Sequence, residues 1–112
     1  MILGSTGPTS LTISGSVESI ADATFMRSDG FETVIIENGV KSIGDLAFYY
    51  CDGLTSITIP DSVTSIGSSA FYGCDGLTDV YYTGSETEWS AITISSGNDL
   101  LKSATKHYNY AG

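Results

Sequence analysis

The chain has 112 residues, the length of one ordinary domain, and its 41% hydrophobic content is enough to build a core. With 13 acidic and 4 basic residues, its net charge of −9 argues against nucleic acid and anionic membrane surfaces as partners, because both attract clustered Lys and Arg. No apolar run reaches the roughly 18 residues that a membrane span needs, so we expect no membrane insertion.

Apolar residues recur along the chain every 23 residues, as from Val17 to Val40 and from Val40 to Val63. Such self-similarity is typical of repeat architectures, in which each unit buries its apolar face against its neighbours. Three further sets keep this spacing: Ile20, Ile43 and Ile66; Phe25, Phe48 and Phe71; and Leu11, Val34, Ile57 and Val80.

Each unit begins with a short segment of alternating pattern. In the third unit Ile57 and Ile59 alternate with Ser56 and Thr58, which predicts a strand with its hydroxyl side chains facing outward. After the turn at Pro60, two more apolar residues of the unit point inward.

A helical turn or two is predicted next in each unit. Asp22, Asp45 and Ser68 stand where an N-cap is expected, and the three phenylalanines follow on the buried face. Glycines close the segment, where a left-handed residue is least costly: Gly30, Gly53 and Gly76.

The string SIGSSAFYGCDGLTDV, preceded by ITIPDSV, resembles the BspA-type leucine-rich repeat over residues 9–82. The first unit departs from that pattern at Ala21, Thr24, Ser28 and Glu37. The resemblance implies a leucine-rich-repeat-like solenoid, with short parallel β-strands on one face and short helical turns on the other. It also implies an extracellular or cell-surface protein of bacteria or protists that binds molecules of a host or a neighbouring cell.

We therefore expect a single solenoid domain over residues 1–112, with repeats at 9–82 and a C-terminal cap at 83–112. In that cap Leu100 follows Leu77 at the same repeat spacing, Trp89 covers the Val80–Tyr82 strand, and nothing places His107 near either cysteine. The first ten residues lack the pattern of a signal peptide and make a poor cap. Self-association through that uncapped end is therefore expected.

Catalytic and cofactor chemistry find no support in the residue pattern. Cys51 and Cys74, one repeat apart, are predicted to be small buried core residues, with a strained disulfide as the alternative. Asp29, Asp52 and Asp75 are predicted turn residues, with a calcium site as the less favoured alternative. We expect no enzyme, no cofactor and no nucleic-acid partner.

The outward strand positions are the better candidates for a binding surface. They combine hydroxyls, an aliphatic side chain and an aromatic one, which suits recognition of a protein or a glycan on another cell. A structural spacer is the first alternative. A carbohydrate module that stacks sugars on Tyr81, Tyr82 or Trp89 is the second. On the opposite side, at least one of Tyr49, Tyr50 and Tyr72 should be exposed. The candidate ligand-binding residues are Thr33, Ile35, Ser56, Thr58, Asp79 and Tyr81.

Overall fold

Short strands dominate the computed structural model, which describes residues 10–28 and 30–111. Four-residue and two-residue strands alternate through the repeats, and two five-residue helices follow in the last unit. In chain order the elements are β1 (Ser10–Ile13), β2 (Ser19–Ile20), β3 (Thr33–Ile36), β4 (Ser42–Ile43), β5 (Ser56–Ile59), β6 (Ser65–Ile66), β7 (Asp79–Tyr82), α1 (Glu86–Ser90), β8 (Thr93–Ile94), α2 (Asp99–Ser103) and β9 (Thr105–His107).

The longer strands form one parallel sheet in the order β1-β3-β5-β7-β9. Each residue lies opposite its equivalent in the next repeat, so that Thr33 pairs with Ser56, and Ser56 with Asp79. The side chains alternate between buried and more exposed, as in Val34 and Ile35. The predicted solenoid of parallel strands is confirmed.

A second parallel sheet, in the order β2-β4-β6-β8, was not foreseen. Ile43 and Ile66 pair within it and point into the core. Two residues per strand are too few to show an alternating pattern, so the sequence indicated only the inward apolar side chains.

The predicted helical turns are instead runs of hydrogen-bonded turns. Alternate N–H groups bond backward within the run and forward to the next repeat. Met26 N–H donates to Ala23 O at 3.2 Å, whereas Phe25 N–H donates to Ala47 O at 2.8 Å. Leu46 and Tyr50 have φ values of 61° and 57°, which lie outside the range of a right-handed helix. The forward bonds form a third ladder along the solenoid.

Two of the three proposed N-caps, Asp22 and Asp45, bond to the next repeat and cap no helix. An Asp22 carboxylate oxygen accepts from Asp45 N–H at 2.8 Å, and an Asp45 carboxylate oxygen accepts from Ser68 N–H at 2.9 Å. A Cβ at Gly44 would lie 2.5 Å from Asp22 Oδ1, so glycine is needed there. The expectation of left-handed residues at Gly30, Gly53 and Gly76 was wrong, because the described glycines with positive φ are Gly39, Gly73 and Gly97.

One continuous hydrophobic core runs between the sheets and the turn segments. Phe48 and Phe71 are fully buried with stacked rings 5.2 Å apart. Phe25 continues the stack at 5.3 Å but is only partly buried, and Val17 is 40% exposed. The repeats therefore bury their apolar faces against each other, and the burial weakens toward the first unit.

The last unit departs from the regular repeat spacing. Asp79 pairs with Thr105, and Ser65 with Thr93, so more residues separate these paired strands than separate the strands of the earlier repeats. The expected continuation at Leu100 was wrong, since the neighbouring Leu101 is the fully buried residue. Within the described part of the chain, no helix is long and apolar enough to span a membrane.

Candidate binding surface

The outward side of the five-stranded sheet carries two adjacent columns of side chains, which we call the strand face. All six predicted binding residues lie on it, in register from one repeat to the next. The first column contains Ser10, Thr33, Ser56, Asp79 and Thr105; the second contains Thr12, Ile35, Thr58, Tyr81 and His107.

The first repeats give the strand face a small-residue, mostly hydroxyl character. Thr33 Oγ1 and Ser56 Oγ are 3.3 Å apart, so neighbouring hydroxyls can bond along the column. Ile35 is 38% exposed and is the only aliphatic side chain in the two columns. The side chains of both columns are uncharged in this part of the face.

The last two strands make the strand face aromatic and ionisable. The Tyr81 and His107 rings stack at 4.5 Å, and Tyr110 lies 4.8 Å from Tyr81. His107 Nε2 is 2.8 Å from Asp79 Oδ2, and Thr78 Oγ1 donates to Asp79 Oδ1 at 2.6 Å. The Thr78 hydroxyl and then His107 hold the pKa of Asp79 below its ordinary value. The four side chains of Asp79, Tyr81, His107 and Tyr110, here named the terminal cluster, are thus held in one arrangement.

His107 of the predicted cap lies on the strand face, a position that the sequence did not indicate. Its strand, β9, is the fifth member of the sheet and sets His107 directly opposite Tyr81. The longer offset between β7 and β9 conceals this pairing from a search at the regular repeat spacing. The segment Thr-Lys-His has no apolar residue to alternate with polar ones, so its pattern did not indicate a further strand.

Two of the three rings proposed to stack against sugars are unavailable. Tyr82 is 1% exposed and Trp89 9% exposed, and their rings contact each other at 5.1 Å. The prediction that Trp89 covers the Val80–Tyr82 strand is confirmed. Burial raises the pKa of Tyr82, with the nearby carboxylates adding to the effect.

Both cysteines are buried in the core, as predicted. Cys51 Sγ donates to Phe25 O, and Cys74 Sγ to Phe48 O, each at 3.1 Å. The hydrogen bond with Cys51, followed by burial, raises the pKa of the Cys74 thiol. Such a thiol is a poor nucleophile because little thiolate forms.

The aspartate column carries no further sign of a calcium site. Asp52 and Asp75 are exposed, and Asp29 lies outside the described residues. Across residues 10–28 and 30–111, no three His, Cys, Asp or Glu side chains come together as metal ligands would.

The turn side of the solenoid exposes aromatic side chains, as expected for at least one of three tyrosines. Tyr72 is 47% exposed, and its ring stacks on Tyr49 at 5.6 Å. Tyr50 lies edge-on to both rings, and the Arg27 guanidinium lies 5.1 Å from the Tyr50 ring centre. Proximity to Tyr72, followed by burial, raises the pKa of Tyr50.

Comparison with known proteins identifies the repeat. No curated protein and no solved structure gave a significant match to the chain. A family model described as a BspA type leucine-rich repeat region of 6 copies matches residues 4–105. That match spans most of the 112 residues and agrees with the stacked parallel strands, so this chain belongs to the BspA-type leucine-rich repeat family.

Proposed function

We propose that this domain is a non-catalytic interaction module that binds a protein partner through the strand face at a cell surface. The observation that carries the proposal is the terminal cluster, where Tyr81, His107 and Asp79 hold each other in place while staying accessible. The His107 and Asp79 side chains are 41% and 34% exposed. Rigid aromatic side chains give contact area at low entropic cost, and so a face of this kind suits recognition.

Family membership supports the same proposal. Repeats of the BspA type are generally surface-associated and mediate protein interactions, and they are typically non-catalytic. The net charge of −9 favours a partner with basic groups over nucleic acid or an anionic membrane. An adhesion partner on a host or neighbouring cell fits these properties.

Carbohydrate binding is the second candidate, on the strength of the ring group in the terminal cluster. Tyr81 and Tyr110 lie within 4.8 Å of each other beside His107, and Tyr110 is 36% exposed. Exposed rings beside a carboxylate can stack on a sugar face and bond its hydroxyls. This candidate now depends on Tyr81 rather than on Tyr82 or Trp89.

The test is a binding screen of the labelled domain against extracellular-matrix proteins and glycans. The Thr58→Arg/Tyr81→Ala double variant disturbs the centre of the strand face, and we expect it to lose the partner. Thr87→Arg places the same charge on the exposed side of α1 and should bind normally. Binding retained by the double variant would contradict the proposed surface.

Two further outcomes separate the alternatives. Loss of binding in Tyr81→Ala alone, together with competition by free sugar, would identify a carbohydrate module. A domain that melts cooperatively and binds nothing in either panel would support a spacer that projects another part of the parent protein.

A further inference from the structure

A cleft of about 240 Å³ opens on the turn side of the solenoid, away from the strand face. It lies where the last regular turn run meets the chain leading into α2. Its lining residues are Tyr50, Tyr72, Gly73, Asp75, Gly97, Asp99 and Leu100.

The floor of the cleft contains the last donor of the third ladder. In that ladder Arg27 N–H donates to Tyr49 O and Tyr50 N–H to Tyr72 O, each at 2.7 Å. Gly73 is the next equivalent residue, one repeat after Tyr50. Its N–H has no acceptor among residues 10–28 and 30–111. Gly73 is a buried residue that lines the cleft, so an oxygen entering the cleft, from water or from a ligand, can accept from this N–H.

The neighbouring donor shows how this end of the ladder differs. Phe71 N–H, two residues earlier, donates to Asn98 Oδ1 at 3.0 Å. A side-chain oxygen thus replaces the carbonyl that a further repeat would supply. The last unit provides that replacement for Phe71 but not for Gly73.

Aromatic rings form one wall of the cleft. Tyr72 and Tyr50 meet edge-to-face at 5.6 Å, and Tyr72 is 47% exposed. Gly73 has a φ of +81°, and a Cβ there would lie 2.5 Å from the Tyr50 ring, so a larger residue would displace that ring. The Tyr50 ring already attracts the Arg27 guanidinium at 5.1 Å.

Negative charge completes the cleft. Asp75 and Asp99 line it and are exposed, and no basic side chain is among the lining residues. Two carboxylates in a cleft with an aromatic wall favour a cation that is planar and carries several N–H donors. Neutral sugar hydroxyls gain less from two negative charges than a cation does.

We propose that this cleft is a second binding site, which takes an arginine side chain from a protein partner. The guanidinium bonds Asp75 and Asp99 and stacks on Tyr72, while a carbonyl oxygen of the same peptide segment accepts from Gly73 N–H. The site is separate from the strand face, and it does not depend on the function proposed there.

The test uses the short peptide acetyl-Gly-Arg-Gly-amide, titrated into the ¹⁵N-labelled domain and followed by amide chemical shifts. We expect saturable shifts centred on Gly73, Tyr72 and Asp99, with the Gly73 amide moving most because it gains a hydrogen bond. The matched peptide with citrulline in place of arginine keeps the shape but loses the charge. It should bind at least about tenfold more weakly.

Variants localise the effect. Asp75→Asn/Asp99→Asn should weaken the arginine peptide at least about tenfold, and Tyr72→Ala should weaken it further. Asp52→Asn, the equivalent of Asp75 one repeat earlier and outside the cleft, should leave binding unchanged. The Thr58→Arg/Tyr81→Ala strand-face variant should bind the peptide normally, which separates this proposal from the previous one.

Several results would overturn the proposal. These are equal binding of the citrulline peptide, equal binding by the Asp75→Asn/Asp99→Asn variant, and shifts spread over the acidic surface without a centre at Gly73. Tighter binding of methyl glycosides would assign the cleft to sugars instead. The absence of any saturable shift would reject the site altogether.

Discussion

The first and last described units of this solenoid differ in how far they bury their apolar side chains. In the first unit Val17 and Met26 are 40% and 41% exposed, and Phe25 is only partly buried. In the last unit Leu101 is fully buried and Trp89 is 9% exposed, although the regular repeat has already ended. In a solenoid each unit buries its apolar face against its neighbours, and the first described unit achieves less of that burial than the last.

In the last unit, side chains make hydrogen bonds that backbone groups of a further repeat would otherwise make. Asn98 Oδ1 accepts from Phe71 N–H, while Asn98 Nδ2 donates to Gly67 O at 3.0 Å and Ser95 O at 2.9 Å. Lys106 occupies an inward strand position, and its ammonium donates to Lys102 O and Ala104 O at 2.7 Å each. Burial lowers the pKa of Lys106. The same unit places His107 on the strand face, so the unit that covers the end of the core also contributes to the terminal cluster.

The largest expected difference between the first unit and the later ones is in the effect of replacing equivalent phenylalanines. Phe71→Ala should lower the free energy of unfolding by about 3–5 kcal/mol, as expected for a fully buried aromatic ring. Phe25→Ala should cost about half of that or less, because its ring is partly exposed. Chemical denaturation of both variants measures the difference. Equal losses would show that the first unit is packed as tightly as the third.

Asn98→Ala tests the closure of the third ladder. It removes three hydrogen bonds of a side chain that is 1% exposed, and we expect a loss of about 3 kcal/mol in the free energy of unfolding. Asn38→Ala, at an exposed position in the turn after β3, is the matched control and should change little. A similar, small effect for both variants would mean that Asn98 does not hold the last unit in place.

Self-association tests the exposed side chains of the first described unit. β1 is the edge strand of the described sheet, with Val17 exposed nearby, and such edges pair with other chains. We expect weak, concentration-dependent association in sedimentation velocity, reduced by Val17→Lys/Met26→Lys. Thr87→Lys adds charge near the closed end and should have no effect. Association reduced by Thr87→Lys alone would place the contact at the closed end instead.

The smallest effect concerns the acid of the terminal cluster. The lowered pKa of Asp79 means that its stabilising contribution is present above the ordinary aspartate range and is lost as the pH falls through the lowered pKa. Asp79→Asn should therefore lower the melting temperature slightly near neutral pH, and the difference from the parent should vanish in strong acid. A constant difference across the whole titration would show that the carboxylate charge is not involved.

The sequence predicts the long strands and the candidate face well because both recur at the regular repeat spacing. Ile57 and Ile59 alternate with Ser56 and Thr58, and an apolar residue occupies both inward positions in the neighbouring units as well. Once the register is known, the six predicted binding residues must share one side of the sheet. Whether they bind a partner stays a prediction.

The turn segments and the last unit could not be read in the same way. Leu46 and Tyr50 adopt positive φ without being glycine, because forward hydrogen bonds to the next repeat hold them there. Those bonds exist only after stacking and leave no local signal. In the last unit, the longer spacing and the side-chain acceptor of Asn98 remove the pattern that led to the other strands.

The most direct test of this account compares hydrogen exchange at three equivalent amides. Phe25 N–H donates to Ala47 O and Phe48 N–H to Ala70 O, each at 2.8 Å. Phe71 N–H donates to Asn98 Oδ1 at 3.0 Å. If the last unit closes the array, Phe71 should be protected as strongly as Phe48, and Phe25 should exchange faster than both. If Phe71 exchanges as fast as Phe25, the last unit opens independently, and the account of a closed end that positions the terminal cluster is contradicted.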